Sequence, residues 1–107
     1  MIFVELTPFR EFCRANCSDE DLRALQNVLI ERPDAGPVIP GAGGLRQLRW
    51  ALAGRGKRGG ARVVYYWQGK ADRVYLVFAY AKNVQDNLTP DQVRQLARIV
   101  EGVLNYE

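Results

Sequence analysis

Two segments of this chain, residues 61–67 and 73–81, are apolar on both sides of an extended backbone, and this restricts the fold more than any other feature. Successive residues of a strand point to opposite faces of a sheet, so a strand with one solvent-facing side alternates apolar and polar residues. Here Val63 and Val64 are adjacent apolar residues, and the second segment repeats the pattern. We therefore expect a sheet with both faces covered by helices.

A third strand candidate, residues 45–52, precedes these two segments, and residues 2–6 form a shorter one at the start of the chain. The glycine-rich stretch AGRGKRGG separates residues 45–52 from residues 61–67, and the short turn QGKAD follows the latter. Strand-like runs separated by such turn signals predict an antiparallel meander of three strands.

Two helices are predicted between the first strand and the meander. Thr7 followed by Pro8 indicates an N-cap with proline at the first helical position of a short helix. Ser18, with Asp21 three residues later, starts a second helix that ends at residues 32–33. Its predicted apolar face consists of Leu22, Leu25, Val28 and Leu29. Together the two helices form a hairpin with one apolar side.

A third helix is predicted after the meander. Thr89, Pro90 and Gln92 supply its N-cap, a first-turn proline and a capping-box glutamine. Its apolar stripe consists of Val93, Leu96, Ala97, Val100, Val103 and Leu104. The order β-α-α-β-β-β-α predicts a single α+β domain over residues 1–107, with an antiparallel-rich sheet, an N-terminal helical hairpin and a C-terminal helix packed on the sheet.

The sequence has no run of about 18 apolar residues, and its N-terminus lacks the pattern of a signal peptide. We therefore expect a cytoplasmic protein with no membrane contact. Cys13 and Cys17 are the two cysteines, and without any histidine they cannot complete an ordinary four-ligand zinc site within one chain. We interpret them as reduced, partly buried residues, with a regulatory disulfide as the alternative. Accordingly, no metal and no cofactor is expected.

The middle of the chain concentrates positive charge. Residues 35–71 contain seven basic residues and no acidic one, whereas the rest of the chain has eight basic and twelve acidic residues. The aromatic residues beside this cluster are Trp50, Tyr65, Tyr66 and Trp67. Such a cluster is typical of a surface that binds a polyanion, most often nucleic acid. A solvated loop flanked by arginines is the alternative, and charge alone does not separate the two.

The expected strand pairing collects several of these residues at one end of the sheet. A turn centred near Lys70 places Arg62 beside residues 78–80. Tyr80 and Lys82 are then its neighbours, and the glycine-rich loop enters at the same end. The predicted catalytic residues are Arg62, Lys57, Tyr80 and Lys82. The predicted RNA contacts are Arg46, Arg49, Arg55 and Arg58.

A site of this composition suits cleavage of RNA, in which the 2′-hydroxyl of the substrate attacks the adjacent phosphorus. Arginine offers paired donors to phosphate and stabilises the charge that builds on its oxygens. Because the chain has no histidine, catalysis has to rest on lysine, tyrosine, arginine or a carboxylate. The pKa values of Lys57, Lys82 and Tyr80 lie near 10 unless neighbouring cations lower them. The structural alternative is that Tyr80 packs in the core, Lys82 is a solvated strand end and Arg62 pairs with a carboxylate.

The stretches GLRQLRWALAGRGKRGGARVVYYW and VYLVFAYAKNVQDNLTPDQ resemble the HigB branch of the RelE/ParE superfamily of toxins, and the resemblance covers nearly the whole chain. It implies a small mRNA interferase that cleaves mRNA in the ribosomal decoding site. It also implies a co-encoded antitoxin as partner, commonly one with a helix-turn-helix DNA-binding domain. The family's phosphate-stabilising arginine corresponds to Arg62, and its basic loop and late-sheet residues correspond to Lys57, Arg58 and Lys82.

The stretch KNVQDNLT lacks the stacking tyrosine that the RelE type places there, so Tyr80 is predicted to substitute for it. Two other functions are left open. A ParE-like toxin shares the fold but inhibits a topoisomerase and needs no catalytic site. An inactive basic RNA-binding domain is the second, and it would not arrest growth when induced.

Overall fold

The chain folds around a four-stranded sheet with helices on both faces. The computed structural model describes residues 1–53 and 60–105. The predicted α+β class and element order are confirmed. In chain order the elements are β1 (Ile2–Glu5), α1 (Thr7–Asn16), α2 (Asp19–Glu31), β2 (Arg46–Trp50), β3 (Ala61–Gln68), β4 (Arg73–Ala81) and α3 (Pro90–Asn105), with a 3₁₀ turn at Gly69–Ala71.

The strands lie in the order β1-β4-β3-β2. Strands β2, β3 and β4 form the predicted antiparallel meander, whereas β1 joins β4 as a parallel edge strand. The sheet is therefore mixed.

A bulge in β4 changes which side chains share a face. The register shifts between Val64 and Tyr65 of β3, which leaves Val77 of β4 without a partner. In a regular strand Leu76 and Tyr80 would point to the same face, but here they belong to opposite cores. The alternation of faces along β4 is therefore interrupted at Val77.

Both faces of the sheet carry a buried core, as the apolar pattern predicted. Helices α1 and α2 cover one face, where Phe9, Leu25 and Leu29 pack against Val63 and Leu76. Helix α3 covers the other face with the predicted stripe. That second core contains Val64, Tyr75, Val77, Tyr80, Leu96 and Val100.

The start of α1 differs from the prediction. Leu6, not Thr7, is the N-cap, and no side chain caps this helix. The backbone N–H of Leu6 donates to Leu76 O at 2.9 Å, so the chain stays paired with β4 through Leu6 and Thr7 is already helical. The N-cap Ser18 with its capping box is confirmed, and Gln92 closes the predicted box with Thr89.

Some apolar residues of the helices are exposed to solvent, among them Ile30 at 55%. Val28, predicted on the apolar face of α2, is 45% exposed, because Leu25 and Leu29 occupy the centre of that face and Val28 lies at its edge. In the two stretches that the structure describes, no helix is long and apolar enough to cross a membrane.

The connection between α2 and β2 is held against the sheet by one tyrosine. The Tyr65 hydroxyl donates to Pro33 O at 2.8 Å and accepts from Gly36 N at 2.9 Å. A Cβ at Gly36 would lie 2.6 Å from the backbone oxygen of Gln47, so only glycine allows this approach. The contact fixes one wall of the site described next.

Candidate functional site

The predicted pairing of Arg62 with the end of β4 is confirmed. Arg62 lies opposite Tyr80 on one side and opposite Arg49 on the other. Lys82 follows β4 directly, and its backbone N–H donates to Gly60 O at 3.1 Å, which extends the pairing past the end of the strand. Three basic residues from three consecutive stretches of the sheet thus meet at one end.

These residues line two adjoining depressions with volumes of about 560 and 790 Å³. Four residues contribute to both depressions: Arg49, Arg62, Lys82 and Asp86. We call this set the cationic groove. Trp50 and Asn83 add to the wall of the first depression, and Gln47 and Asn87 to that of the second. A groove with three cations and one carboxylate favours an anionic ligand.

Arg62 is positioned by its strand rather than by a counter-ion. Its side chain is half-buried, and Nη1 donates to Ala61 O at 3.2 Å. Within residues 1–53 and 60–105, no carboxylate forms an ion pair with it, so the structural alternative of a paired Arg62 finds no support there. Arg62 lines both depressions, where a phosphate could accept hydrogen bonds from its guanidinium.

Tyr80 lies beneath this groove in the second core and is only 4% exposed. Its hydroxyl oxygen is buried and has no hydrogen-bond partner among the described residues. Burial raises the pKa of Tyr80 above its ordinary value, although the charge of Arg62 and the nearby Gln47 amide both act to lower it. Gln47 thus influences the phenol without reaching hydrogen-bond geometry.

The expectation that cations lower the pKa of Tyr80 was therefore wrong in its net direction. Arg62 acts in the expected sense, but the loss of solvent around the phenol outweighs it. A buried phenol that stays protonated is poorly suited to accept a proton near neutral pH.

Two of the aromatic residues predicted beside the basic cluster are structural. Trp50 stacks on Phe9 with ring centroids 5.8 Å apart, and its Nε1 donates to Asp21 O at 2.9 Å. Tyr65 is fully buried and anchors the preceding connection. Neither presents a free ring face for stacking on a base.

Asp21 holds the end of β2 by hydrogen bonds. Its carboxylate accepts from Ala53 N at 3.0 Å and from Ser18 N at 3.0 Å, and it is 5% exposed. These backbone hydrogen bonds, from Ala53 first and Ser18 second, hold the pKa of Asp21 below its ordinary value. One buried carboxylate therefore joins the start of α2 to the strand that carries Arg49.

Not all predicted site residues reach the groove. Arg46 points to the other face of the sheet, where Nη1 donates to Gly36 O at 2.9 Å, so the structure does not bring it to Arg62. Three further predicted residues lie outside the described residues: Arg55, Lys57 and Arg58.

Sequence reasoning missed Asp86 and its neighbours. After β4 the chain turns, with Val84 N and Gln85 N donating to Ala81 O, and this turn brings Asp86 over the groove. The turn-forming composition of residues 82–88 could have indicated that the chain folds back toward the groove after β4. Among the residues that the structure describes, no cluster of three His, Cys, Asp or Glu side chains is arranged to hold a metal ion.

Comparison with known proteins identifies the class to which this fold and groove belong. A family model described as the RelE toxin of the RelE / RelB toxin-antitoxin system matches residues 9–107. The chain therefore belongs to the RelE family of toxins. Membership of a toxin–antitoxin family implies an antitoxin as partner.

Among solved structures, the chain is similar to E. coli toxin RelE, in a form with two arginines replaced by alanine and in the free state. The match has a TM-score of 0.57 and 14% identity, and it covers 90% of this chain and 92% of that chain. At this identity it shows the fold alone. The assignment to the HigB branch stays a prediction.

Proposed function

We propose that this toxin is a ribosome-dependent endoribonuclease that cleaves mRNA in the decoding site and so blocks translation. The observation that carries the proposal is the convergence of Arg49, Arg62 and Lys82 on one groove at the end of the sheet. A HigB-type toxin of this kind is expected to be held inactive by a helix-turn-helix antitoxin.

The reaction requires no bound cofactor. The 2′-oxygen of one nucleotide forms a bond to the adjacent phosphorus while the bond to the 5′-oxygen of the next nucleotide breaks. The products are a 2′,3′-cyclic phosphate and a 5′-hydroxyl. Negative charge grows on the non-bridging oxygens, and preorganised donors at that position are worth on the order of 3 kcal/mol each.

We assign the phosphate to Arg62, with Arg49 opposite it as a second donor. The backbones of both residues are fixed by β-sheet pairing, which holds the two side chains on the same groove as the charge develops. Lys82 lies on the same groove and is exposed, which suits protonation of the departing 5′-oxygen. Lys57 keeps its predicted catalytic role in this proposal, and Arg55 and Arg58 of the same glycine-rich stretch are proposed to bind the RNA backbone. Arg46 lies on the other face of the sheet and is not assigned to the groove.

The proton acceptor is assigned to Asp86, the carboxylate that lines both depressions. Tyr80 is assigned a supporting role instead of the predicted proton-transfer role, because its oxygen is buried and its pKa is raised. Tyr80 pairs with Arg62 across β3 and β4, and its ring contacts Phe78 with ring centroids 5.9 Å apart.

The test is expression without antitoxin, followed by mapping of mRNA ends on isolated ribosomes. We expect cleavage within the ribosome-bound message and none in the same RNA without ribosomes. Association should weaken steeply with salt, with a slope of about −0.7 per phosphate contact for single strands. Growth arrest with intact mRNA and inhibited topoisomerase would instead establish a ParE-like toxin, and no growth arrest would establish an inactive RNA-binding domain.

A further inference from the structure

A second reactive feature lies on the opposite face of the sheet, at the junction of α1 and α2. Cys13 lies in the last turn of α1, and Cys17 is the C-cap residue of the same helix. The backbone N–H of Cys17 donates to Cys13 O at 2.9 Å. A helical spacing of four residues puts the two side chains on the same side of the helix.

Cys17 lowers the pKa of the Cys13 thiol. The main cause is a side-chain hydrogen bond between the two residues. Burial, Glu5 and Asp21 act in the opposite direction but do not cancel it. A thiol that ionises more readily is the better nucleophile at neutral pH.

Reagents can reach the pair from solvent. Cys13 and Cys17 are both half-buried, and they line a surface depression of about 280 Å³ together with Arg10 and Arg14. This depression is separate from the cationic groove, with which it shares no residue. Their inner sides pack against the core that contains Phe9.

The local backbone can accommodate a covalent link. Side chains four residues apart in a helix have Cβ atoms roughly 5–6 Å apart, whereas a disulfide needs about 3.8 Å. Cys17 already has an extended backbone, with φ −120° and ψ 145°, so it can move without disturbing the interior of α1. Formation of the disulfide would break or weaken the hydrogen bond from Cys17 N to Cys13 O.

We propose that Cys13 and Cys17 form a redox-active dithiol that hydrogen peroxide converts into an intrachain disulfide. The Cys13 thiolate attacks one peroxide oxygen, the O–O bond breaks, and water leaves after protonation, which gives a sulfenic acid. The Cys17 thiol then attacks the Cys13 sulfur, its proton leaves with the hydroxyl group as a second water, and the S–S bond forms. The peroxide is reduced, and the two thiols together lose two electrons.

The test uses the reduced full-length chain treated with hydrogen peroxide, with intact-mass measurement and non-reducing peptide mapping. Because the chain has no other cysteine, a loss of two hydrogens from the monomer identifies the Cys13–Cys17 link. We expect that product, reversed by a dithiol reductant. Disulfide-linked dimers, or sulfinic acid on a chain that never forms the internal link, would overturn the proposal.

Two variants of Cys17 separate its roles as hydrogen-bond donor and as resolving thiol. Cys17→Ser keeps a donor, so Cys13 should react with peroxide at about the wild-type rate and stop at a sulfenic acid that dimedone traps. Cys17→Ala removes the donor and should slow the reaction of Cys13 at least about tenfold. Equal rates for the two variants, with thermal melts showing both folded, would contradict the proposed activation.

Discussion

Arg49 in β2 and Arg62 in β3 lie directly opposite each other at the end of the sheet. Like charges in opposed cross-strand positions destabilise a sheet, and both side chains border the same depressions. Among the described residues neither forms an ion pair with a carboxylate. An anion placed between them would relieve this repulsion. The Arg49–Arg62 pair therefore destabilises the protein without a bound anion relative to the protein with one.

This arrangement predicts opposite effects of Arg49→Gln on stability and on binding. The free energy of unfolding should stay the same or rise by up to about 1 kcal/mol, because a like-charge pair is removed. Affinity for ribosome-bound mRNA should fall. The slope of its salt dependence should decrease by the amount expected for about one phosphate contact. Urea unfolding and RNA binding at several salt concentrations measure the two effects.

The matched control is Arg98→Gln, which removes the same charge from an exposed position on α3, away from the groove. It should leave both the unfolding free energy and the salt slope nearly unchanged. If Arg49→Gln behaves like Arg98→Gln in the binding measurement, Arg49 is not part of the RNA surface.

Tyr80→Phe tests the supporting role of the tyrosine. Removing a buried hydroxyl that lacks a partner among the described residues should change the unfolding free energy by less than about 1 kcal/mol, in either direction. Because burial raises the pKa of Tyr80, its ionisation lies above the range in which cleavage is measured. Cleavage should therefore keep its rate within about threefold and keep the shape of its pH profile between about pH 6 and 9.

A loss of more than about tenfold in Tyr80→Phe, with the fold intact, would place the phenol in the reaction and restore the role predicted from the sequence. Thermal melting of both proteins provides the check on folding. The measurement is single-turnover cleavage on isolated ribosomes.

Sequence reasoning was most successful where a local pattern sufficed. Pairing of β3 with β4 follows from the position of one short turn, so Arg62 was correctly placed beside Tyr80. Capping residues likewise defined the starts of α2 and α3. Both signals depend on neighbours in the chain rather than on packing.

What the sequence did not predict depends on tertiary contacts. The bulge at Val77 moves Tyr80 to the second core, and no residue type in β4 marks it. Trp50 reads as an exposed aromatic beside basic residues, yet the stack on Phe9 buries it. Asp86 reaches the groove only because the turn after β4 folds back.

Asp86→Asn tests the proposed proton acceptor. The amide keeps the shape of the side chain but cannot take a proton from the 2′-hydroxyl, so cleavage should fall about a hundredfold. Binding of mRNA on the ribosome should be equal or tighter, because a negative charge beside three cations is removed. The measurements are single-turnover cleavage and equilibrium binding of the same variant.

Asp91→Asn is the control for charge, since Asp91 is exposed in the first turn of α3 and pairs with Arg94. It should cleave at the wild-type rate. If Asp86→Asn cleaves as fast as Asp91→Asn and binds more tightly, Asp86 acts only as a counter-charge in the groove.

Asp21 predicts a dependence of stability on pH. Its pKa is lowered in the folded protein by the hydrogen bonds from Ala53 and Ser18, so its contribution is fully present above the unfolded value near 3.9. The contribution is lost as the pH falls through the lowered folded value. Asp21→Asn should therefore cost about 1–3 kcal/mol at pH 7 and less at about pH 3. Urea unfolding of both proteins measures it, and an equal cost at the two pH values would contradict the assignment.

Arg62 is the residue at which the proposed function depends most directly on geometry. Its position opposite Tyr80 and Arg49 fixes the backbone on both sides, and its guanidinium borders both depressions. We expect Arg62→Ala to reduce cleavage at least about a hundredfold, because a donor that acts on the transition state is lost. Arg62→Lys should restore only part of the rate, since an ammonium group lacks the planar paired donors.

Both Arg62 variants should remain folded and should still bind ribosomes and antitoxin. Among the described residues, the Arg62 side chain donates a hydrogen bond only to the backbone oxygen of its neighbour Ala61, so its loss should cost little stability. The test measures toxicity without antitoxin, cleavage on isolated ribosomes and thermal melting for each variant. An Arg62→Ala protein that folds and cleaves at the wild-type rate would remove Arg62 from the reaction. If Arg62→Lys instead cleaves as fast as wild type, charge alone is sufficient and the paired donors of arginine are not used.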